Sequence, residues 1–409
     1  MGQGFSFVFG EDVVRGLFDR VMSVFRRHDK ARPEARTTAR GRGSVDHVLL
    51  LDGTLGSLRS DRMTSIGIIY RFLRRAAPTA SVYYGRGLQW REWHDTSDVW
   101  FGWGVNRQIL RAYGWLAMRY RPGDRIFLIG YSRGAFAARS LAGMIERVGL
   151  LRPEAAIERN TKTAWRHYEG VTPPPILQGF RDGLCHPSVR LEMVGAFDTV
   201  SALGVRLPFF WIWNDRRARF HNHILGQSVH HGYQALALDE TRSVLEPLIW
   251  DCEGTGASRI EQVWFRGCHG DIGGQLGHFE DARPLANIPL VWMLEKAEAL
   301  GLSLPQDWQE AFPRDVSAPS VGSWRGWGKY SLLRAPRVVG RDPSERLHET
   351  VTLAPSGGWR AILRPRLLRP DMHAPASSAS GSHYEAGGGS SRVEPPVLRA
   401  PDLATRDPG

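Results

Sequence analysis

The chain has 409 residues, 42% of them hydrophobic and 23% charged, with a formal net charge of +11. That is enough apolar content to bury a full core, and it excludes a wholly disordered chain. Three cysteines without a Cys-x-x-Cys pair exclude a disulfide framework or a zinc ribbon, and no run approaches the ~18 apolar residues of a membrane-spanning helix.

The first 45 residues read as an amphipathic segment followed by a basic linker. Val14, Leu17, Phe18, Val21 and Phe25 share one helical face, suited to a membrane surface or to packing on the main domain. Glu11, Asp12 and Arg15 interrupt the apolar start where a secretory signal peptide needs an unbroken core, so none is expected there. Folding is therefore expected in the cytoplasm, with export by a route that needs no cleavable signal left open. The positive charge balance suits a polyanion, nucleic acid or an anionic lipid headgroup; of the two, nucleic acid is not expected.

From about residue 46 to about 300, strand-like and helix-like runs alternate. Strands are expected at 47–51, 81–84, 125–129, 191–197 and 262–265. Helices are expected at 64–75, 105–120, 133–148, 227–238 and 289–300. Such alternation predicts an α/β fold, a mostly parallel sheet with helices on both faces. The main domain is placed at 46–370, although 301–370 carries little pattern. Residues 371–409, rich in Pro, Ser, Gly and Ala, read as a disordered tail.

The most specific motif is Gly130-Tyr131-Ser132-Arg133-Gly134, between the apolar run Arg125–Ile129 and a helix rich in small residues. Strand, Gly-x-Ser-x-Gly, then helix is the pattern of a nucleophile elbow, which makes Ser132 the candidate nucleophile. A serine hydroxyl needs a base, and the base needs an orienting group. In chain order, Asp198 at the end of the 191–197 strand is the candidate acid, and His269 after the 262–265 strand is the candidate base. Asp271, two residues on, is the alternative acid. The oxyanion hole is expected from the N–H of Arg133 and one from Asp52-Gly53-Thr54, with Gly53 or Thr54 as the donor. The same Asp-Gly-Thr run does not support an aspartyl phosphatase, whose nucleophile would fall at Leu50.

Near 207–225 an aromatic insertion, Leu207-Pro208-Phe209-Phe210-Trp211-Ile212-Trp213, precedes Arg216, Arg217 and Arg219. Phe209, Phe210, Trp211 and Trp213 could enter a bilayer interface with the arginines at headgroup level, or the segment could be a lid. Trp90, Trp93, Trp100 and Trp103 could line a pocket or simply pack. His221, His223, His230 and His231 lack the partners of a metal site; no metal and no cofactor is expected.

Together these segments resemble a family of α/β-hydrolases of uncharacterised domain type that includes the type VI secretion phospholipase effectors of the first class. The resemblance is carried by Leu51–Thr54, by Arg121-Pro122-Gly123-Asp124 leading into Gly130–Arg139, and by Phe197–Val200. It continues through Ala235–Glu240, Val263–Gly274 and Ile288–Leu290. Two departures stand out: Leu55-Gly56 after Asp-Gly-Thr, and Gln275 where glycine is common. The resemblance implies a triad at Ser132, Asp198 and His269 and cleavage of phospholipid esters. A soluble esterase or thioesterase, and a catalytically inactive membrane- or partner-binding protein, are the alternatives.

Overall fold

A computed structural model describes residues 43–59, 63–87, 103–200, 224–252, 258–324, 333–351 and 362–363. The N-terminal amphipathic segment, Trp90, Trp93, Trp100, the aromatic insertion with its arginines, His221, His223 and the 371–409 tail lie outside the described residues. The chain divides into units 1–374 and 375–409, the second wholly outside them.

Seven strands form one sheet: β1 (Asp46–Leu51), β2 (Ser81–Gly85), β3 (Arg125–Tyr131), β4 (Leu191–Phe197), β5 (Val229–Ala237), β6 (Ile260–Phe265) and β8 (Glu345–Leu347). A short β7 (Val338–Val339) pairs with β9 (Ile362–Leu363) apart from it. The order across the sheet is β2-β1-β3-β4-β5-β6-β8, and every neighbouring pair is parallel. Parallel strands need crossovers. Among the described residues α1 (Ser65–Ala76) lies between β1 and β2, and α2 (Trp103–Ala117) between β2 and β3. Between β3 and β4 come α3 (Arg133–Val148), α4 (Glu158–Glu169) and α5 (Pro174–Leu184), and between β6 and β8 come α6 (His269–Gly273) and α7 (Arg283–Ala299). The fold is α/β-hydrolase-like.

Because helices cover both faces, the central strands are apolar on both. In β1, Leu49 and Leu51 face a core shared with Ile109, Tyr113, Phe136 and Leu141 of α2 and α3. Val48 and Leu50 face the opposite core, with Ile66, Ile69 and Leu73 of α1 and Leu290 and Leu294 of α7. The strand order reverses between β1 and β3, and ligands of such sheets bind in the crevice at that switch point. The Asp52 loop leaves β1 on one side of it, and Ser132 leaves β3 on the other.

Residues 227–238, expected to be helical, are instead β5. The run Gln234-Ala-Leu-Ala has good helix formers, but propensity is a weak prior against pairing with β4 and β6. Gln234, fully buried at the sheet centre, is satisfied there. Its amide donates to Leu248 O at 3.0 Å and Gln262 Oε1 at 3.1 Å, and Thr199 donates to its Oε1 at 2.6 Å. The last helix also starts earlier than its sequence suggests, at Arg283, and runs through Pro289 rather than beginning there.

Candidate active site

Ser132 sits between β3 and α3 with φ 56° and ψ −121°, a backbone conformation costly for any residue with a Cβ. The flanking glycines make the turn possible. A Cβ on Gly130 would run into the Gly134 carbonyl, and one on Gly134 into the Leu51 and Asp52 carbonyls. The first turn of α3 can therefore press against the end of β1. Ser132 N–H is fixed to Phe197 O at 2.9 Å, and the residue is nearly buried.

Three of the sequence-predicted residues meet. Ser132 Oγ lies 2.9 Å from His269 Nε2, and His269 Nδ1 lies 2.6 Å from Asp198 Oδ2. Asp198 follows β4 at φ 41°, with its N–H on Ala235 O at 2.7 Å and its Oδ1 accepting from Ala237 N at 3.1 Å. Burial alone would raise its carboxyl. The Arg337 guanidinium and the His269 hydrogen bond outweigh that and hold it below the usual range.

His269 opens α6, and its backbone N–H donates to Glu240 Oε2 at 3.1 Å. Glu240 is buried and gripped by Arg242 at 2.7 and 2.8 Å; that pairing overcomes its desolvation and brings its carboxyl down to about 2. The Tyr131 ring lies 4.9 Å from the imidazole, and its hydroxyl donates to His269 O.

Asp271, the alternative acid, is not on the imidazole. Its carboxylate accepts from Cys268 N at 2.8 Å, Ser320 Oγ at 2.5 Å and Val321 N at 2.8 Å, so it shapes the His269 turn and ties it to residues 320–321. Its position at N3 of a short helix explains this, because a carboxylate there reaches back to the free N–H at the helix start.

The oxyanion expectation divides. Arg133 is the first residue of α3, so its N–H has no acceptor within the helix. Gly53, however, already donates its N–H to Asp52 Oδ1 at 2.8 Å. Its neighbour Thr54 has a buried hydroxyl with no partner among the described residues. The two departures from the family pattern meet here. Gln275 Nε2 donates to Thr54 O at 3.0 Å, and Leu55 takes φ 65° in the same loop.

Asp52 anchors that loop from below. It accepts from Gly53 N, Thr64 Oγ1 at 2.8 Å and Tyr84 Oη at 2.7 Å, and burial lifts its carboxyl to about 6 against those bonds. A carboxyl raised in the folded state favours folding fully below about pH 4 and loses that contribution as pH rises through about 6, a change of roughly 3 kcal/mol. Asp52→Asn keeps an acceptor for Gly53 and Thr64. It is expected to raise the urea midpoint at pH 8 and leave it near wild type at pH 4. An equal offset at both pH values would exclude Asp52 as the titrating group.

Sequence reading missed Arg337. It is buried, and it donates to Asp198 Oδ2 from Nη2 at 3.1 Å and to Oδ1 from Nη1 at 3.5 Å. No local motif marks it. Elsewhere, His230 pairs with Glu192 at 3.2 Å and His231 stacks on Tyr233. Among the described residues no group of His, Cys, Asp and Glu could hold a metal ion, and no helix is long and apolar enough to cross a membrane.

A family model, "T6SS, Phospholipase effector Tle1-like, catalytic domain", matches residues 46–296. An uncharacterized protein of Saccharomyces cerevisiae is 31% identical over 185 residues, which are 39% of this chain and 27% of that protein. Among solved structures, an uncharacterized protein from Pseudomonas aeruginosa aligns with a TM-score of 0.37 at 14% identity, over 75% of this chain and 52% of that one. The Tle1 effector bound to the VgrG spike of the type 6 secretion system aligns with a TM-score of 0.33 at 15% identity, over 60% and 54%. The chain thus spans about a quarter of the yeast relative and about half of each solved chain.

Proposed function

The chain belongs to the family of Tle1-like phospholipase effectors of type VI secretion, and on that footing we propose that it is a serine hydrolase cleaving carboxylic esters of glycerophospholipids at a membrane surface. The observation that carries the reading is the unbroken run of hydrogen bonds from Ser132 through His269 to Asp198, at 2.9 and 2.6 Å.

In this reading Ser132 Oγ attacks the ester carbonyl while His269 Nε2 takes its proton. Asp198 keeps the imidazole oriented and stabilises the cation formed on it. The oxyanion is bound by the Arg133 N–H and by Thr54, through its N–H or its hydroxyl, since the Gly53 N–H is engaged with Asp52. Collapse passes the proton to the departing lysophospholipid oxygen and leaves an acyl-serine. Water, deprotonated by His269, then releases the fatty acid and restores Ser132. We assign Phe209, Phe210, Trp211 and Trp213, with the arginines that follow, the role of contacting the lipid surface. Delivery as a secreted effector accords with the family.

The test is fatty-acid release from anionic phospholipid vesicles and from a soluble short-chain ester, comparing wild type with Ser132→Ala. Release from vesicles by the wild type, reduced at least about 10⁴-fold in the variant, is the expected result. Turnover of the soluble ester alone would make the protein an esterase. Turnover of neither, with salt-sensitive vesicle binding that survives Ser132→Ala, would make it a binding protein.

A further inference from the structure

The family match ends at residue 296, yet a side chain from beyond it reaches into the site. Arg337 lies in the stretch just before β7, 139 positions from Asp198 in sequence, and its guanidinium faces both carboxylate oxygens. Oδ2, the oxygen nearer to it at 3.1 Å, is the same oxygen that accepts from His269 Nδ1 at 2.6 Å. Arg337 is itself held, since Nη2 also donates to Leu245 O at 2.6 Å in the loop after β5. Its Nε is buried without a partner among the described residues, a cost that the position bears. Asp198 is wholly buried, and a carboxylate out of water without a compensating charge tends to take up a proton.

We propose that Arg337 is a positioning residue of the catalytic apparatus: it holds Asp198 ionised and oriented toward His269, so that the functional unit extends through the segment 333–351. This rests on the serine-hydrolase reading above. A fork-shaped cation is suited to the task, because it can bond both carboxylate oxygens while leaving room for the imidazole on one of them. A lysine would supply the charge without the fork.

Other charged and titratable groups surround the pair. Glu240 holds the His269 N–H and is neutralised by Arg242; Asp271 and Cys268 lie in the His269 turn; Tyr131 covers the ring; and Arg133 follows the nucleophile. Among the arginines around Asp198 and His269, Arg242 is spent on Glu240, whereas Arg337 bonds Asp198 directly. The largest force opposing the desolvation of Asp198 is its attraction to Arg337.

The experiment follows the second-order rate at which a fluorophosphonate labels Ser132, against pH, in full-length wild type, Arg337→Met, Arg337→Lys and Ser132→Ala. Labelling forms the Ser132 Oγ–P bond, expels fluoride and sends the serine proton to His269, so it reports on the triad whatever the true ester substrate. In Arg337→Met the acidic limb is expected to move up by about one pH unit, because the buried Asp198 carboxylate takes up a proton more readily once the cation is gone. In Arg337→Lys the limb should stay near wild type while the plateau falls about tenfold, since charge is kept and orientation is loosened. A residue that only supports the fold would lower the labelled fraction in both variants and leave both limbs in place, and that result overturns the proposal. Should Arg337→Met fail to fold, Arg337→Gln, which keeps a donor and loses the charge, carries the same comparison. Wild type that labels no more than Ser132→Ala at any pH would instead overturn the serine-hydrolase reading, and this proposal with it.

Discussion

Asp198→Asn is expected to lower kcat on phospholipid vesicles by about 10⁴-fold, with a smaller change in KM. An amide in place of the carboxylate can meet His269 Nδ1 with an N–H, which forces the imidazole into the tautomer that cannot accept the Ser132 proton at Nε2. The same change strips the buried Arg337 of its counter-charge. The protein should therefore also lose about 3 kcal/mol of stability, read as a lower urea midpoint. Measuring both separates the two losses: the rate at saturating lipid reports the tautomer, and the midpoint reports the stranded cation. A fall in rate of less than tenfold would remove Asp198 from the role assigned to it.

Truncation after residue 300, close to the end of the family match, is expected to abolish cooperative folding rather than yield a trimmed enzyme. The removed segment supplies β8, whose Glu345 is fully buried and accepts from Trp264 Nε1 at 2.9 Å and from two backbone N–H groups. It supplies Asp342, which takes the Cys252 N–H, and Ser344, whose carbonyl and hydroxyl receive the backbone and side chain of Gln262. It supplies Arg337 on Asp198 and Ser320 and Val321 on Asp271. Cutting it away leaves Trp264 and several buried donors without partners, each costing about 1–3 kcal/mol against a typical total stability of about 5–15 kcal/mol. Size exclusion and thermal melts of the truncated chain should show aggregate or a non-cooperative transition. A monomer with a sharp melt would mean that the segment is dispensable to the core.

The pH behaviour of the two carboxyls beside the site runs in opposite senses. Glu240, brought down to about 2 chiefly by Arg242 against its desolvation, favours folding above about pH 4.5 and loses that contribution as pH falls toward 2. Asp52, raised to about 6, behaves the other way between about pH 4 and 6. One anchors the histidine turn and the other the loop after β1, so acid and neutral conditions stress different sides of the same crevice.

Much of the architecture could be read from local pattern. Strands β1 to β4 and β6 are short apolar runs between turn signals, and α1 and α3 fall within a residue of their expected bounds, because amphipathic period and glycine punctuation are properties of contiguous residues. β5 escaped because its helix-forming residues were overruled by pairing on both sides. β8 escaped because three residues carry no period. The candidate nucleophile, acid and base could be picked out because each closely follows a strand, and a parallel sheet brings all such positions to one edge.

The sequence by itself determined the alternating fold, the strained turn at Ser132 with the two glycines that permit it, and the chain order of serine, aspartate and histidine, since all are set by residues adjacent in the chain. Only the tertiary structure decided the rest: that Asp198 and not Asp271 meets the imidazole, that Asp52 has taken the Gly53 N–H, that Gln275 braces Thr54, and that Arg337 stands behind Asp198. Each of those is a hydrogen bond or ion pair whose partner is chosen by distance and direction in space. Asp198 and Asp271 are the same side chain on similar loops, and a single arginine among many carries no local mark of the carboxylate it will face.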